Sequence, residues 1–464
     1  MLSAPTQRAF RAACATVPSA AFTSQASMQL EDKWCARTYS PLPFVISRAS
    51  GIYTWSPEGV QRMDFLSAFS AANQGHCHPR IVAALTAQAS QLTLISRAFH
   101  TDALGPYAEY LCRTMGYPRM LPANSGVEGW EVALKLARKW AYTTKRVQPD
   151  QAVVLFPEGN FGGRTLGAIS ASTDPSSYGG YGPLLPGIRH VPFGDAAAVE
   201  AALAVDPNII AFYTEPIQGE AGIVLPPQGY LAAVAAACAR HGALLIADEV
   251  QTGLGRAGSL LASWGEGVAS ASALPPQGVR PDIVVLGKAL GGGVLPVSAV
   301  LASDAIMLSI LPGEHGSTFG GNPLACAVAT AALQVIEEEG LCANAVARGG
   351  ELLAGYRAIA ARWPLVFKEA RGVGLMHALE MREGAVDEAG VPVSAWQLCL
   401  ALGAAGELHG QQMGLLTKPT HGNTIRLTPP LVITQGQVRA ALGILEAVVE
   451  RVLKGGASRE GRRK

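Results

Sequence analysis

Charge is scarce in this 464-residue chain. Asp, Glu, Lys and Arg make up 15 % of it against 49 % hydrophobic residues, and 36 basic side chains nearly cancel 35 acidic ones to leave +1. A nucleic-acid or anionic-membrane partner would want a basic surplus on one face, so neither is expected. No apolar run is long enough to cross a bilayer. The eight cysteines lie singly, with no C-x-x-C, which argues against a disulfide scaffold or a zinc ribbon and for reduced thiols. The tightest group, His76-Cys77-His78, reads as a turn before Pro79. Neighbouring side chains there point in different directions, and no metal site is expected. Acidic residues are missing altogether before Glu31, whereas Arg8, Arg11 and many Ala, Ser and Thr residues fill that stretch. Such a composition resembles an organelle transit peptide, the alternative being a frayed, uncleaved N-terminus.

What is present is a large amount of core. The length suggests two or three domains. Continuous apolar runs at Ala152–Phe156, Ile209–Tyr213, Ala243–Ala247, Ile283–Leu286 and Val297–Leu301 predict strands buried on both faces. Helical stretches such as Gly229–Arg240 lie between them, which predicts a parallel or mostly parallel α/β sheet. In Glu131–Tyr142, Val132, Ala133, Leu136, Ala137, Trp140 and Ala141 form one stripe; near the end of the chain, Val438, Ala441, Leu442, Leu445, Val448, Val449 and Val452 form another. The part after about Thr330, with a turn at Arg371-Gly372-Val373-Gly374, reads as a smaller α/β domain. Gly265–Arg280 and Ala404–Met413, rich in Gly, Ala and Gln, read as loop insertions. The expected divisions are a leader over 1–27, an N-terminal segment over 28–90, a large domain over 91–329 and a small domain over 330–464.

Chemistry concentrates at strand ends. The run Pro281–Gly287 is a buried strand that delivers Lys288 at its carboxyl end, followed by Ala289-Leu290 and three glycines. Ligands of open α/β sheets bind at such ends, and a partly buried lysine there could attack a carbonyl. Taken alone, the segment fits a solvated loop lysine better. It is no nucleotide P-loop, because Asp282 stands where the first glycine belongs and Ala289 where Ser or Thr should be. The strand Ala243–Ala247 ends in Asp248-Glu249. A carboxylate there could keep a pyridine nitrogen protonated, a role that fits Asp248, with Glu249 expected in an ion pair or solvent. Gly253–Gly258 matches G-x-G-x-x-G, but five residues separate it from the apolar strand and no helix pattern follows, so dinucleotide binding is not expected. Asn124–Gly129 runs into an amphipathic helix. Ser125 suits an N-cap, and the amides beside it suit either simple capping or a phosphate. Gly316–Pro323, with Ser317 and Thr318, is a second phosphate candidate.

These motifs together resemble the class III, fold-type I aminotransferases, and within them the ornithine aminotransferases. The resemblance is carried by TYSPLP (38–43), NQGHCHP (73–79), GNFGGRTLGA (159–168), EPIQGEAG (215–222), IADEVQTGLG (246–255), LGKALGGGVLPVSAV (286–300), GEHGSTFGGNPL (313–324) and LTKPTHGNTIRLTPPL (416–431), in the family's order from about Trp34 to Leu453. It implies a large, mostly parallel α/β/α sheet domain, with a smaller α/β domain built from the C-terminal part plus an N-terminal segment. It implies pyridoxal 5'-phosphate as cofactor, with Lys288 as the covalent lysine and proton shuttle. Asp248 would pair with the pyridine nitrogen, Gln251 would lie beside the phenolic oxygen and Phe161 would stack on the ring. Ser125, Gly126 and Val127 would hold the phosphate, helped by Thr318 from a partner subunit, hence a homodimer or higher oligomer with shared sites. Tyr39 and Arg164 would grip the α-amino acid end of L-ornithine, and Arg426 the α-carboxylate of glutamate or 2-oxoglutarate. Glu220 would pair with Arg426 in one half-reaction and release it in the other. The implied reaction passes the δ-amino group of ornithine to 2-oxoglutarate. Sister activities on acetylornithine or 4-aminobutyrate, and an inactive binding or assembly module, are the rivals. The family usually has tyrosine where this chain has Phe69, which bears on how strictly ornithine is chosen. The mitochondrial matrix is the expected location, with plastid and cytoplasm as alternatives.

Overall fold

A computed structural model of the chain describes residues 23–265, 278–404, 406–408 and 411–454. Most of the leader, at 1–22, and most of the first insertion, at 266–277, therefore lie outside the described residues, as do 405 and 409–410 of the second. A helix over Ser24–Trp34 is followed by three short strands: β1 (Arg48–Ser50), β2 (Tyr53–Trp55) and β3 (Gln61–Asp64). The central sheet follows, with β4 (Arg119–Ala123), β5 (Val153–Pro157), β6 (Ile188–Val191), β7 (Ile209–Thr214), β8 (Leu244–Asp248), β9 (Ile283–Leu286) and β10 (Ser298–Ala302). The C-terminal part adds β11 (Phe367–Val373), β12 (Met376–Met381), β13 (Gly406–Leu408), β14 (Gln411–Leu416), β15 (Lys418–Thr420) and β16 (Thr424–Leu427).

The seven-stranded sheet runs β4-β10-β9-β8-β7-β5-β6. Its strands are parallel except β10, which pairs antiparallel with both β9 and β4. All five expected strands are present within one residue of their predicted bounds, and the sheet is mostly parallel, as predicted. Strands β7, β8 and β9 are buried along their whole length because helices cover both faces. Leu244 and Ile246 pack with Trp130, Leu134 and Leu136 on one face, while Leu245 packs with Val199, Tyr230 and Val234 on the other. The helix read over Glu131–Tyr142 begins earlier, at Gly126, with Ser125 as its N-cap, and runs to Trp140. The C-terminal helix, Gln435–Leu453, opens on a capping box between Thr434 and Gln437 and buries the predicted stripe, Leu442 only in part.

The two ends of the chain meet in a second sheet, β1-β2-β3-β14-β13, in which β3 pairs parallel with β14, Gln61 opposite Met413. Arg62 Nε donates to Gly403 O at 2.6 Å across the same junction. The N-terminal segment is thus built into the C-terminal layer. Ala404–Met413, expected as a loop, instead carries the antiparallel pair β13–β14. Its Gly- and Gln-rich composition hides a strand whose register is set by the distant β3. A third sheet, β11-β12-β16-β15, completes this layer and carries Arg426 on β16. No described helix is long and apolar enough to cross a membrane.

Candidate active site

Three neighbouring parallel strands aim their carboxyl ends at one point. β7 is followed by Glu215, β8 ends in Asp248, and β9 is followed by Gly287 and Lys288. Together with Gly126, Val127, Phe161, Gly162, Gly163, Val250 and Gln251 they line a cavity of about 160 Å³. A second cavity of about 400 Å³ shares Gly126 and Lys288 and continues past Ser125, Ala68 and His76. Lys288 therefore lines both spaces.

Lys288 adopts φ 46°, left-handed for a non-glycine residue, where a Cβ is crowded by the following carbonyl. Enclosure pushes its ammonium down to about 8; Arg426 acts in the same direction, opposed by Asp248, Glu220 and Glu215. It can therefore present a neutral amine from about pH 8 upward, the form that attacks a carbonyl. Burial raises the Asp248 carboxyl to about 7, against a hydrogen bond from the Val250 amide (3.0 Å) and the charge of Lys288. A fixed cation beside Asp248 would favour its ionised form.

The phosphate-type cradle is the start of the Gly126–Trp140 helix. Ser125 Oγ accepts from the Glu128 amide at 3.2 Å, as a cap should, and the first-turn amides have no partner inside a helix. A Cβ at Gly126 would come within 2.8 Å of Val250 Cγ1, on a branched side chain with little freedom to turn aside. Gly162 is equally constrained by Trp130, whose Nε1 would lie 2.3 Å from the new Cβ. Trp130 cannot yield easily, since it stacks on Phe156 and Tyr213 at centroid distances of 5.6 and 5.2 Å. These glycines let the backbone beside Phe161 and Ser125 pack directly against Trp130 and Val250. An aldehyde-reactive lysine, a strand-end carboxylate, an aromatic wall and an anion-binding helix end fit pyridoxal phosphate as a donor set.

Arg426 is 1 % exposed and held on three sides. Nη1 donates to Glu220 Oε2 at 2.9 Å, Nη2 donates to Gln251 Oε1, and the Phe69 ring covers the guanidinium face at 4.6 Å. Gln251, assigned by resemblance to the cofactor, thus also contacts the arginine. Glu220 itself is 36 % exposed, and its backbone carbonyl is held by Thr420 Oγ1 (3.0 Å) and His421 Nε2 (3.1 Å) from the β15–β16 turn.

Other predicted residues lie further out. Arg164 bonds Ser177 Oγ at 2.6 Å and stands 5.5 Å from the Phe161 ring. Tyr39 is 80 % exposed and does not line the lysine cavity; Lys418 Nζ lies 6.0 Å from its ring. Thr318 lines a separate cavity with Arg97 and Ser317, away from Lys288 of its own chain. Glu249 departs from expectation: it is neither paired with a cation nor solvated. It is buried and accepts from Thr252 Oγ1 (2.5 Å) and from the Ala262 (3.1 Å) and Ser263 (2.8 Å) amides, because the loop after β8 folds back over it. In that loop Arg256, inside the G-x-G-x-x-G look-alike, is fully buried and bonds Asn73 Oδ1, Leu375 O and Pro429 O, a structural tie. His76 pairs with Asp64 at 2.7 Å and His78 with Glu339 at 3.0 Å.

Glu215 was missed. It lines the cavity, accepts from the Phe161 amide (3.1 Å) and the Gly219 amide (3.0 Å), and is raised to about 8 by burial and by the nearby Asp248. The available signal was its place at the carboxyl end of β7, equivalent to Asp248 on β8.

Residues 34–449 match the family model for aminotransferase class-III. The chain is 47 % identical to a Drosophila melanogaster protein named ornithine aminotransferase, mitochondrial, over 94 % of each. The fold matches a solved Toxoplasma gondii ornithine aminotransferase, described with partial occupancy of PLP at its active site, at TM-score 0.85 and 39 % identity over 97 % of this chain and 99 % of that one. It also matches an acetylornithine aminotransferase from Elizabethkingia anophelis at TM-score 0.81 and 44 % identity, over 93 % of this chain and 100 % of the other.

Proposed function

The chain belongs to the aminotransferase class-III family, and from that premise we propose that it transfers the δ-amino group of L-ornithine to 2-oxoglutarate. The products are glutamate 5-semialdehyde and L-glutamate. The observation that carries the substrate reading is Arg426, a buried cation beside the lysine cavity whose Glu220 partner is one-third exposed. One pocket must take a cationic amine and then a second carboxylate. A cation whose counter-charge can be withdrawn meets both demands.

Bound pyridoxal phosphate supplies an electron-accepting ring that stabilises charge on the substrate carbon as its proton leaves. Lys288 Nζ, neutral at mildly alkaline pH, takes that proton. Asp248 keeps a negative charge opposite the ring nitrogen, and Phe161 closes one face against water. The Gly126 and Val127 amides and Ser125 hold the phosphate at the helix N-terminus. With ornithine present, Glu220 neutralises Arg426; with the dicarboxylate, Arg426 binds its α-carboxylate. Tyr39 and Arg164 orient the α-amino acid end of ornithine once a partner copy covers this face, and the same copy lends Thr318 to the phosphate. The working unit is therefore a homodimer, in which the exposed Tyr39 and the remote Thr318 both become site residues. The mitochondrial matrix is the proposed location, tested by sequencing the N-terminus of the protein from its native cell.

The deciding experiment is a spectral titration of the purified holoenzyme with ornithine, N-acetylornithine, 4-aminobutyrate and lysine, with no keto acid added. Ornithine should convert the bound cofactor to its aminated form at the lowest concentration. A preference for N-acetylornithine or 4-aminobutyrate would refute the ornithine reading, and no conversion with any amine would refute transamination.

A further inference from the structure

We propose that Asp64 is a positioning residue for substrate selection. By capping a left-handed turn over Ser67–Ser70, it holds the Phe69 ring against the guanidinium of Arg426. The inference rests on the reading of Arg426 and Phe69 as substrate contacts.

Ser67, Ala68, Phe69 and Ser70 have φ values of 49°, 46°, 58° and 73°. A single non-glycine residue in this region is unremarkable in a turn. Four in succession persist only where the surroundings dictate them, because each Cβ is crowded by the carbonyl that follows. The dictating group is Asp64, 7 % exposed at the end of β3. Its Oδ1 accepts from the amides of Leu66 (2.8 Å) and Ser67 (2.9 Å), and its Oδ2 is 2.7 Å from His76 Nε2. The same end of the turn is also fastened to Thr428, two residues beyond Arg426. Ser67 Oγ donates to Thr428 O at 2.7 Å, Thr428 N to Phe65 O at 2.7 Å, and Thr428 Oγ1 to Leu66 O at 3.0 Å.

The turn and the arginine are therefore registered to each other. With Glu220 and Gln251 engaging its edges and Phe69 its face, the Arg426 guanidinium has one orientation. A right-handed turn would carry Phe69 away and leave that face to water. A competing role for Asp64 exists. Arg256 is fully buried, and all its hydrogen-bond partners named above are neutral, so Asp64 is the acid that offsets its charge. If that were its whole role, losing Asp64 would weaken folding and leave Arg426 as it is.

A double-mutant cycle separates the two roles. Natural holoenzyme, Asp64→Ala, Phe69→Ala and the double variant are compared by two readouts. The first is the rate of phenylglyoxal labelling at Arg426, read by peptide mass, which needs no turnover. The second is KM for 2-oxoglutarate against kcat. Each single change should raise labelling and KM about three- to thirty-fold, the range expected for uncovering a desolvated cation–π contact, with kcat changed far less. The double variant should match Phe69→Ala alone. Effects that multiply, or an Asp64→Ala enzyme that melts earlier but labels and binds as the natural one does, overturn the proposal. Should Asp64→Ala fail to fold, Asp64→Asn, which keeps an oxygen for the two amides and removes the charge, should leave Arg426 as protected as in the natural enzyme; faster labelling counts against the proposal. Ala68→Gly added to Asp64→Ala removes one Cβ objection to the turn and should restore part of that protection; no restoration counts against the proposal. A natural enzyme that ignores 2-oxoglutarate refutes the substrate reading, while the labelling cycle still decides the positioning claim.

Discussion

Replacing Glu220 by glutamine tests the charge switch most directly, because it removes a charge and keeps a hydrogen-bonding side chain of the same length. In the folded protein Glu220 Oε2 lies 2.9 Å from Arg426 Nη1, with the arginine 1 % and the acid 36 % exposed. Two unit charges about 4 Å apart interact by about 4 kcal/mol at an effective dielectric of about 20. The one-third exposure of Glu220 and the neutral hydrogen bond that glutamine retains reduce the net loss to about 1–2 kcal/mol. A dicarboxylate must displace this partner from Arg426 before it binds, so the variant should take 2-oxoglutarate and glutamate about five- to thirty-fold more tightly. Ornithine should be disfavoured by a similar factor, since its cationic amine would enter a pocket whose buried arginine has lost its counter-charge. The assay is each half-reaction alone, followed by the absorbance of the bound cofactor at increasing ornithine or glutamate. Opposite shifts support the switch. Parallel shifts, or an unchanged glutamate dependence, would refute it.

Four further predictions rest on the same geometry. Cofactor-free protein should capture pyridoxal phosphate covalently about tenfold more slowly for each pH unit below about 8 and level off above it, because Lys288 holds its proton until about 8; Lys288→Ala should still bind the phosphate but show no covalent capture, and a flat profile in the natural protein would contradict the depressed lysine. With its folded value below the unfolded 10.5, Lys288 also makes stability of the cofactor-free form climb as pH rises from about 8 towards 10.5, a slope that Lys288→Met should reduce in denaturant titrations. Gly162→Ala should cost about 1–3 kcal/mol in a melting experiment, because its Cβ meets the stacked Trp130 at 2.3 Å; an unchanged midpoint would show that Trp130 moves freely. Phe69→Tyr should raise the rate with ornithine relative to 4-aminobutyrate by adding a hydroxyl to the wall beside Arg426, and unchanged relative rates would remove Phe69 from substrate choice.

Much of the scaffold was legible because its signals are local. Five continuous apolar runs became β5, β7, β8, β9 and β10, since burial on both faces leaves a pattern readable in five residues. Ser125 announced its cap, and the C-terminal stripe its helix, for the same reason. Lys288 and Asp248 were legible as strand-end groups, though neither position alone separates a site from a loop. The direction of β10 was not legible, because antiparallel and parallel buried strands share one composition. The pair β13–β14 was missed because its register comes from β3, some 350 residues earlier. Glu249 was misplaced because adjacency to Asp248 says nothing about the loop that folds over it.

Sequence by itself therefore determined the five buried strands, the strand ends that carry a lysine and an acid, and the helix start that Ser125 caps. Those follow from side-chain period, capping and backbone sterics, all of which act over a few residues. Only the tertiary structure decided that Glu215 joins Asp248 and Lys288, and that Arg426 is enclosed by Phe69, Glu220 and Gln251. It also decided that Asp64 accepts from the Leu66 and Ser67 amides where the turn carrying Phe69 begins. Residues 64, 220, 251 and 426 share no local pattern. They meet because β3, β7, β8 and β16 belong to three sheets packed around one lysine, and sheet packing is settled by the sum of distant contacts.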